Sequence, residues 1–267
     1  MKSCEEVVHT RVWEEEAEPD NPFAAAVCRC SGYDVYGDLL GKASWIEYLY
    51  LLFKRERPTP EQAALLEGLA MALANPGPRD PAVHAAMCGG VGGSTHASCL
   101  IAALSVGAGQ LGGAHEIYLA MVNWRDCGKN LEAWRERLKH PRREERSDVW
   151  PGIEHPPGFD PHGASCARPV RQTLNYLAQR SPSTALAWLR RHRLDLESTA
   201  DAPLAMAGVA AAALADLEFD PDQGEMLHLL LRLPGAAVHA LEQREFGWRR
   251  FPFFAQGIKL GNDPERE

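Results

Sequence analysis

The chain has 267 residues, enough for one large domain or two modest ones. Apolar residues make up 45% of it and charged residues 24%, which is ordinary for a soluble globular protein. Its net charge of −8 argues against binding to nucleic acid or to a membrane surface, and no apolar run is long enough to span a bilayer. The acidic N-terminus "MKSCEEVVHTRVWEEE" lacks the apolar core of a secretory signal, so we expect a cytoplasmic protein.

Most of the chain has the periodicity or the composition of α-helices. "ASWIEYLYLLFKRE" (43–56) has apolar residues at helical spacing. "THASCLIAALSVGAG" (95–109) and "DAPLAMAGVAAAALADLEF" (201–219) are small and apolar nearly all round, which is typical of helices buried on every side. "GEMLHLLLRLPGAAVHALEQ" (224–243) predicts a long helix bent at Pro234. No segment alternates with a period of two, so we predict an all-α fold.

The composition changes between about Trp124 and Ala200, where Arg, Glu, His and Pro become more frequent. Helical blocks rich in Ala and Gly lie on both sides of this stretch. The pattern predicts a large helical domain interrupted by a smaller helical one. We assign an N-terminal segment at 1–30, the large domain to 31–123 and 201–267, and the small domain to 124–200.

Two glycine-rich segments and one loop contain candidate binding residues. "CGGVGGST" (88–95) lacks the Lys-Ser/Thr ending of a phosphate-binding loop, which favours glycines that let helices pack closely. "GAGQLGGAHE" (107–116) is weak evidence for a helix N-terminus that binds an anion. "PGIEHPPGFDP" (151–161) places His155 on a proline-bounded loop, where both a functional and a plain surface histidine remain open interpretations.

Arg232 lies inside the apolar run "LLLRLPG". A guanidinium keeps its proton, so a buried arginine requires an anionic partner. This partner is either a structural carboxylate or the carboxylate of a substrate, and spacing alone does not separate the two.

Taken in order, these blocks resemble the citrate synthase superfamily, in particular its short citryl-CoA lyase-like members and the lyase module of ATP-citrate lyase. "SGYDVYGDLLGKASW" looks like the family's "RGYDL…LIG…SF" opening, and "GAGQLGGAHE" is similar to its "G..HGGA.E" segment. "PGIEHPPGFDP" resembles the "PGFGHP…DPR" loop, and "RLPGAAVHALEQ" resembles "RT.G..AH..EQ". "DAPLAMAGVAAAALADLEFDPDQG" follows "PNVDGALAALL.DLG.P…G" without a gap. The resemblance extends from about Gly32 to Gln243.

The resemblance implies a helical dimer whose subunits each have a large and a small domain, with the active site in the cleft between them, completed by the partner. Family members make or break the bond between the α-carbon of an acyl-CoA and a keto acid. A carboxylate takes the α-proton, histidines stabilise the enolate and polarise the ketone, and arginines hold the substrate carboxylates. A coenzyme A thioester is then the substrate, with no covalently bound cofactor and no metal ion.

Several active-site positions of the family are substituted in this chain. The Asp-His pair of "ADHG" falls on Asn75 and Pro76, and the histidine of "HGGA" falls on Leu111, a position that the ATP-citrate lyase branch also lacks. The aspartate of "PNVD" falls on Met206, and the arginine of "DPR" falls on His162. Losing a general base commonly lowers a rate by about 10²–10⁴-fold, so we expect no efficient citrate synthesis or citryl-CoA cleavage by this chain alone.

Two family positions are retained: His155 matches the loop histidine, and Arg232 matches a carboxylate-binding arginine. His155 is the retained catalytic candidate, and Arg232, His162 and His115 are the substrate-binding candidates. The first hypothesis is a binding or structural subunit that takes a small carboxylate or an acyl-CoA. It forms a homodimer, or a heteromer with an active paralogue.

The second hypothesis is an active enzyme with altered catalytic residues, using His155 and Arg232 together with His115, His84 or Glu116. A standard lyase or synthase is third, and would need Asp201 to take the place of Met206. An unrelated helical interaction protein is the last alternative. The expectation of lost activity would fail if an acidic side chain in the cleft pointed at His155, because that side chain would restore a proton acceptor.

Overall fold

The computed structural model describes residues 10–141, 155–181 and 184–251. Within these ranges the chain forms ten α-helices and a small antiparallel sheet, which confirms the predicted, mostly helical class. The helices are α1 (Trp45–Lys54), α2 (Pro60–Leu73), α3 (Pro81–Val91), α4 (His96–Gly107), α5 (Ala114–Cys127), α6 (Leu131–Lys139), α7 (Arg168–Arg180), α8 (Ala185–Ala200), α9 (Met206–Asp216) and α10 (Pro221–Phe246). The strands are β1 (Trp13–Glu18), β2 (Asn21–Cys30) and β3 (Tyr33–Asp34), in the order β1-β2-β3.

The sheet is an addition to the predicted all-α fold. β1 pairs antiparallel with β2, with Trp13 opposite Cys30, and β2 pairs with β3. β1 is exposed along nearly its whole length and β2 along half of its length, and neither strand shows an alternation of apolar and polar residues. Only the end of the hairpin enters a core, where Cys30 packs in one cluster with Leu39 and Leu51. The period-two signal is absent because this hairpin has no buried face along most of its length.

Contacts among the described residues divide the chain into two compact units. The first unit combines Met1–Ala72 with His115–Leu227, and the second combines Leu73–Ala114 with His228–Glu267. These units group the residues differently from the domains assigned above, whose bounds stay a prediction.

The two helices expected to be buried on every side differ from each other. In α9 every residue from Gly208 to Leu214 is buried, as predicted. The prediction for α4 is wrong within the described chain, because Ile101 is 60% and Val106 45% exposed. Its small residues pack on one side only, where Cys99 and Ala103 join a core cluster of the second unit. None of the described helices has the combination of length and hydropathy that crossing a lipid bilayer requires.

The glycines of 88–95 let helices of the second unit approach each other closely. A Cβ added to Gly90 would lie 2.2 Å from the carbonyl oxygen of Ala240, a backbone atom with no freedom to move aside. α3 and α10 therefore meet at a distance that only glycine allows. This confirms the predicted close packing of helices at Gly90.

Candidate functional site

The predicted site residues divide between the two units. The first unit contains His115, His155, His162 and Met206. The second unit contains Pro76, Leu111 and Arg232. We call Glu116, His155, Gly158 and Met206 the His155 cluster, and Asp80, Gly112, His228 and Arg232 the Arg232 cluster.

His155 and Glu116 form the buried centre of the His155 cluster. His155 is 9% exposed, and Glu116, in the first turn of α5, is 2% exposed. Nε2 of His155 lies 3.6 Å from Oε1 of Glu116, within ion-pair range but longer than a hydrogen bond. The same Oε1 accepts a hydrogen bond of 2.8 Å from the backbone N–H of Gly158. One carboxylate thus orients both the imidazole and the loop that bears it.

The His155 loop is also held against the start of α9. The backbone N–H of Ala205 donates to the carbonyl oxygen of Gly158 at 2.9 Å. A Cβ added to Gly208 would lie 2.5 Å from that oxygen, so glycine is needed for this contact. α9 begins at Met206, which is half-buried. The structure thereby brings the His155 loop to the helix end where the resemblance places the family's aspartate.

The start of α9 has no side-chain cap. Its N-cap, Ala205, makes no capping hydrogen bond through its side chain, and the thioether of Met206 has no proton to exchange. Asp201, the alternative acid, is the exposed C-cap of α8, in a left-handed conformation with φ 51°. Its position ends α8 before the chain turns towards α9.

His115 and His162 have different surroundings in the first unit. His115 stacks on Tyr118, with ring centroids 5.3 Å apart, and its Nδ1 lies 3.3 Å from Oε1 of Glu225. His162 is exposed, and its backbone N–H donates to Oδ1 of Asp160 at 2.9 Å. His115 therefore belongs to a partly buried polar pair beside the His155 cluster on α5, whereas the ring of His162 faces solvent.

Arg232, on α10, has an anionic partner within its own unit. Its Nη2–H donates to Oδ2 of Asp80, and both side chains are largely buried, at 14% and 12% exposure. Asp80 is the N-cap of α3, where Oδ1 accepts from the backbone N–H of Ala82 and Val83 at 3.0 and 3.2 Å. Of the two partners left open by the sequence, the structure thus provides a structural carboxylate.

His228 lies one helical turn before Arg232 and is the functional candidate that the sequence analysis missed. It is 4% exposed, and its Nε2 accepts a hydrogen bond of 3.3 Å from Nη1 of Arg232. Burial, reinforced by the Arg232 charge, lowers the pKa of His228 to about 3, so the ring is neutral at physiological pH. The sequence signal was a histidine four residues before an arginine in an apolar helical run.

The loop before α5 reaches Arg232, whereas the turn after α2 contacts another part of α10. Nη1 of Arg232 lies 3.5 Å from the carbonyl oxygen of Gly112, next to Leu111, whose side chain is 70% exposed. Pro76 is exposed, and the neighbouring Asn75 has its Oδ1 3.2 Å from Nε2 of His239. In the described ranges, no three His, Cys, Asp or Glu side chains lie close enough together to hold a metal ion.

The helical order and topology define a fold of the citrate synthase type. No family model and no curated protein matches the sequence. Among solved structures, citryl-CoA lyase from Hydrogenobacter thermophilus matches with a TM-score of 0.70 and 17% identity, over 96% of this chain and 95% of that one. At identities this low the likeness establishes the fold alone.

Two ATP citrate lyases also share the fold. One, from Methanothrix soehngenii in complex with citrate and coenzyme A, matches with a TM-score of 0.72 and 18% identity over 98% of this chain. The other, a Methanosaeta concilii variant in complex with (3S)-citryl-CoA, matches with a TM-score of 0.72 and 16% identity over 97% of this chain. The present chain spans only 43% of each of those longer proteins.

Proposed function

We propose that this chain binds a coenzyme A thioester or a small carboxylate in the cytoplasm, without efficient citrate synthesis or citryl-CoA cleavage of its own. Proteins of the same fold have been solved with citrate, coenzyme A and citryl-CoA. The observation that carries the proposal is Met206 at the start of α9, beside the His155 loop. The resemblance assigns this position to the general base, and a methionine thioether neither accepts nor donates a proton there.

Glu116 does not replace that base in this proposal. Its side chain is 2% exposed, and one of its oxygens already accepts the Gly158 N–H. We therefore assign Glu116 a positioning role, in which it holds His155 and its loop in a fixed orientation. Removal of a substrate α-proton needs a base within about 3 Å of that proton's carbon or a bridging water, which a buried and engaged carboxylate does not offer.

Carboxylate binding is supported by the donors of Arg232. A guanidinium has five N–H donors in a planar fork. In the described chain three contacts engage it, to Asp80, His228 and Gly112. The remaining N–H groups suit a carboxylate, which accepts such donors in pairs.

The second candidate function is an active enzyme with altered catalytic residues, and the pairing of His155 with Glu116 favours it. An imidazole oriented by a carboxylate is a common arrangement of acid–base groups. The pair also places an acidic side chain next to His155, which is the kind of contact that counts against the expectation of lost activity. In this alternative His155 exchanges the proton, and Glu116 sets its orientation and basicity.

The proposal includes a homodimer, or a heteromer with an active paralogue. Its support is the exposure of apolar side chains on α4 and α10 of the second unit, where Ile101, Val106, Val238 and Leu241 are 45–60% exposed. A partner subunit that covered these side chains would remove their apolar surface from water. Light scattering should give a mass above that of the 29.4 kDa chain, and Ile101→Asp should lower it.

Calorimetry and a turnover assay on the same preparation test the proposal. We expect binding of acetyl-CoA or citrate, no cleavage of citryl-CoA to acetyl-CoA and oxaloacetate, and no hydrolysis of citryl-CoA to citrate and coenzyme A, at an enzymatic rate. The proposal fails if neither probe binds. Turnover that His155→Ala and Glu116→Gln both abolish would support the active enzyme instead, with His140→Ala as the control because that histidine is exposed at the end of α6.

A further inference from the structure

The first unit contains a cavity of about 640 Å³ that the proposed function does not use. It lies where α5 and α9 end and where α8 and α10 begin. Its volume is within the range of small-molecule sites, about 300–1,000 Å³. It is separate from the His155 cluster, because Glu116 is in the first turn of α5 and Trp124, which lines the cavity, lies about 12 Å further along that helix.

The apolar part of the cavity lining consists of buried side chains, those of Met121, Trp124 and Phe219. The Trp124 ring packs edge-on against Trp134, with centroids 4.7 Å apart. The Phe219 ring packs in the same way against Tyr50, at 5.5 Å. Because neighbouring rings hold both side chains in place, the cavity offers a preformed surface to the apolar part of a ligand.

The charged residues of the lining come from two segments of opposite sign. Arg125, near the end of α5, and Lys129, just after that helix, are basic. Glu218 and Asp220, in the turn between α9 and α10, are acidic. A ligand with a single charge would meet a like-charged segment as well as an opposite one. A zwitterion matches both segments.

Glu218 is the acidic residue of this lining whose side chain has no internal use in the described chain. The oxygens of Asp216 accept two backbone N–H groups at the start of α8, at 2.7 and 3.1 Å. Oδ1 of Asp220 accepts from the backbone N–H of Gln223 at 2.8 Å. Among the described residues, the carboxylate of Glu218 forms neither a hydrogen bond nor an ion pair. It is therefore the carboxylate that a ligand can engage without breaking a contact of the fold.

The backbone of Glu218 has a conformation that suits glycine better. Its φ is 60°, in the left-handed region, and it directly follows the C-cap of α9. The N–H of Phe219 donates to the carbonyl oxygen of Leu214 at 3.1 Å, which closes a helix-end motif where glycine is the usual residue at this position. A charged side chain on a strained backbone beside a cavity points to a functional use of that side chain.

We propose that this cavity binds a free α-amino acid with a large apolar side chain. Its ammonium group contacts Glu218, its carboxylate contacts Arg125, and its side chain lies on the buried rings. In the described chain only Nε of Arg125 is engaged, donating to Oδ1 of Asp126 at 3.3 Å, so the outer N–H groups of the guanidinium are available. This ligand is a second one for the chain, and its binding does not depend on the proposed function.

The test is calorimetric titration of the full chain with three probes. L-phenylalanine has both charges, N-acetyl-L-phenylalanine lacks the ammonium group, and L-phenylalaninamide lacks the carboxylate. The variants are Glu218→Gln and Arg125→Gln, each of which removes one charge and keeps a polar side chain. Glu136→Gln is the matched control, since Glu136 is exposed on α6 and does not line the cavity.

We expect L-phenylalanine to bind roughly tenfold or more tightly than either derivative. Glu218→Gln should weaken L-phenylalanine and the amide to a similar degree and leave the acetyl derivative unchanged. Arg125→Gln should weaken L-phenylalanine and the acetyl derivative and leave the amide unchanged. The control should bind all three probes as the wild type does. This crossed pattern identifies which charge of the ligand each residue contacts.

Glu218→Gly keeps the test decisive if another variant folds poorly, because glycine adopts the left-handed conformation without strain. It should unfold at a temperature at least as high as the wild type and bind L-phenylalanine as weakly as Glu218→Gln. The proposal is overturned if L-phenylalanine does not bind at millimolar concentration, if Glu218→Gly binds it as the wild type does, or if Glu218→Gln weakens all three probes alike. These results leave the proposed function untouched, since its probes are acetyl-CoA, citrate and citryl-CoA.

Discussion

The His155 cluster and the Arg232 cluster bury polar groups in different ways. In the first, the Glu116 carboxylate accepts a backbone N–H and lies beside His155, and a glycine contact fixes the loop against α9. In the second, Arg232 pairs with Asp80, and the buried Nδ1 of His228 has no hydrogen-bond partner among the described residues. The first arrangement holds a side chain in place by internal contacts. The second pairs an arginine with both a carboxylate and a neutral imidazole.

The largest expected effect is in the Arg232 cluster. Asp80→Ala removes the partner of a largely buried guanidinium and the cap of α3, so the free energy of unfolding should fall by about 3–5 kcal/mol. Urea unfolding of the variant and the wild type measures this difference in free energy. The double variant Asp80→Ala/Arg232→Met should recover part of the loss, because it removes the unpaired charge. A single variant as stable as the wild type would contradict this account of the pair.

The next effect is at the glycine contact of the His155 cluster. Gly208→Ala places a methyl group against the Gly158 carbonyl, and we expect a loss of about 2–3 kcal/mol although alanine favours helices. Gly107→Ala is the control, since its nearest atom is a side-chain methyl of Ala82 at 3.3 Å. Thermal unfolding of both variants should show the larger decrease for Gly208→Ala. The reverse order would mean that the loop has room to move.

Substitution of Glu116 should lower the free energy of unfolding by a smaller amount, which depends on the side chain that replaces it. Glu116→Ala leaves the Gly158 N–H without its acceptor, and we expect a loss of about 1–3 kcal/mol. Glu116→Gln retains an amide oxygen at the same place and should lose less. Chemical denaturation of the two variants checks the difference. If both variants lose the same amount, the carboxylate charge matters more than the hydrogen bond to the loop.

The last effect is measured as a slope against pH and not as a single loss of stability: it is the acid sensitivity due to His228. Its pKa is lowered to about 3 in the folded state, so the unfolded chain binds a proton first as the pH falls below 6.5. Its contribution to stability is therefore present above pH 6.5 and is lost between pH 6.5 and about 3. Relative to His228→Phe, the wild type should lose about 1.4 kcal/mol of unfolding free energy per pH unit in that range. Parallel stability curves for the two proteins would be inconsistent with a neutral, buried His228.

The helices could be predicted from the sequence because the residue patterns that indicate them lie within single segments of the chain. The buried α9 and the glycine-mediated packing of α3 follow from residue size and spacing within one segment. The hairpin at Trp13–Cys30 was missed because neither strand has a buried face to impose alternation. The exposed face of α4 was missed because apolar residues occupy both its buried and its exposed side, so their pattern does not tell the two apart.

The pairing within the two clusters was beyond the reach of the sequence. Asp80 and Arg232 are 152 residues apart, and Glu116 and Gly158 are 42 apart, so only the tertiary fold brings them together. His155 and Arg232 were found through motif spacing. The partners that hold them have no such spacing, since they are defined by which helices pack together.

The most direct test of the central claim is a rapid-quench measurement with citryl-CoA at a concentration where calorimetry shows the chain to be occupied. Our account predicts that bound citryl-CoA stays intact, with acetyl-CoA and oxaloacetate formed at least about 10²-fold more slowly than by an ordinary enzyme. Their formation at roughly 1–10³ s⁻¹ by the purified chain would contradict it and would favour the His155–Glu116 pair as the groups that transfer the proton.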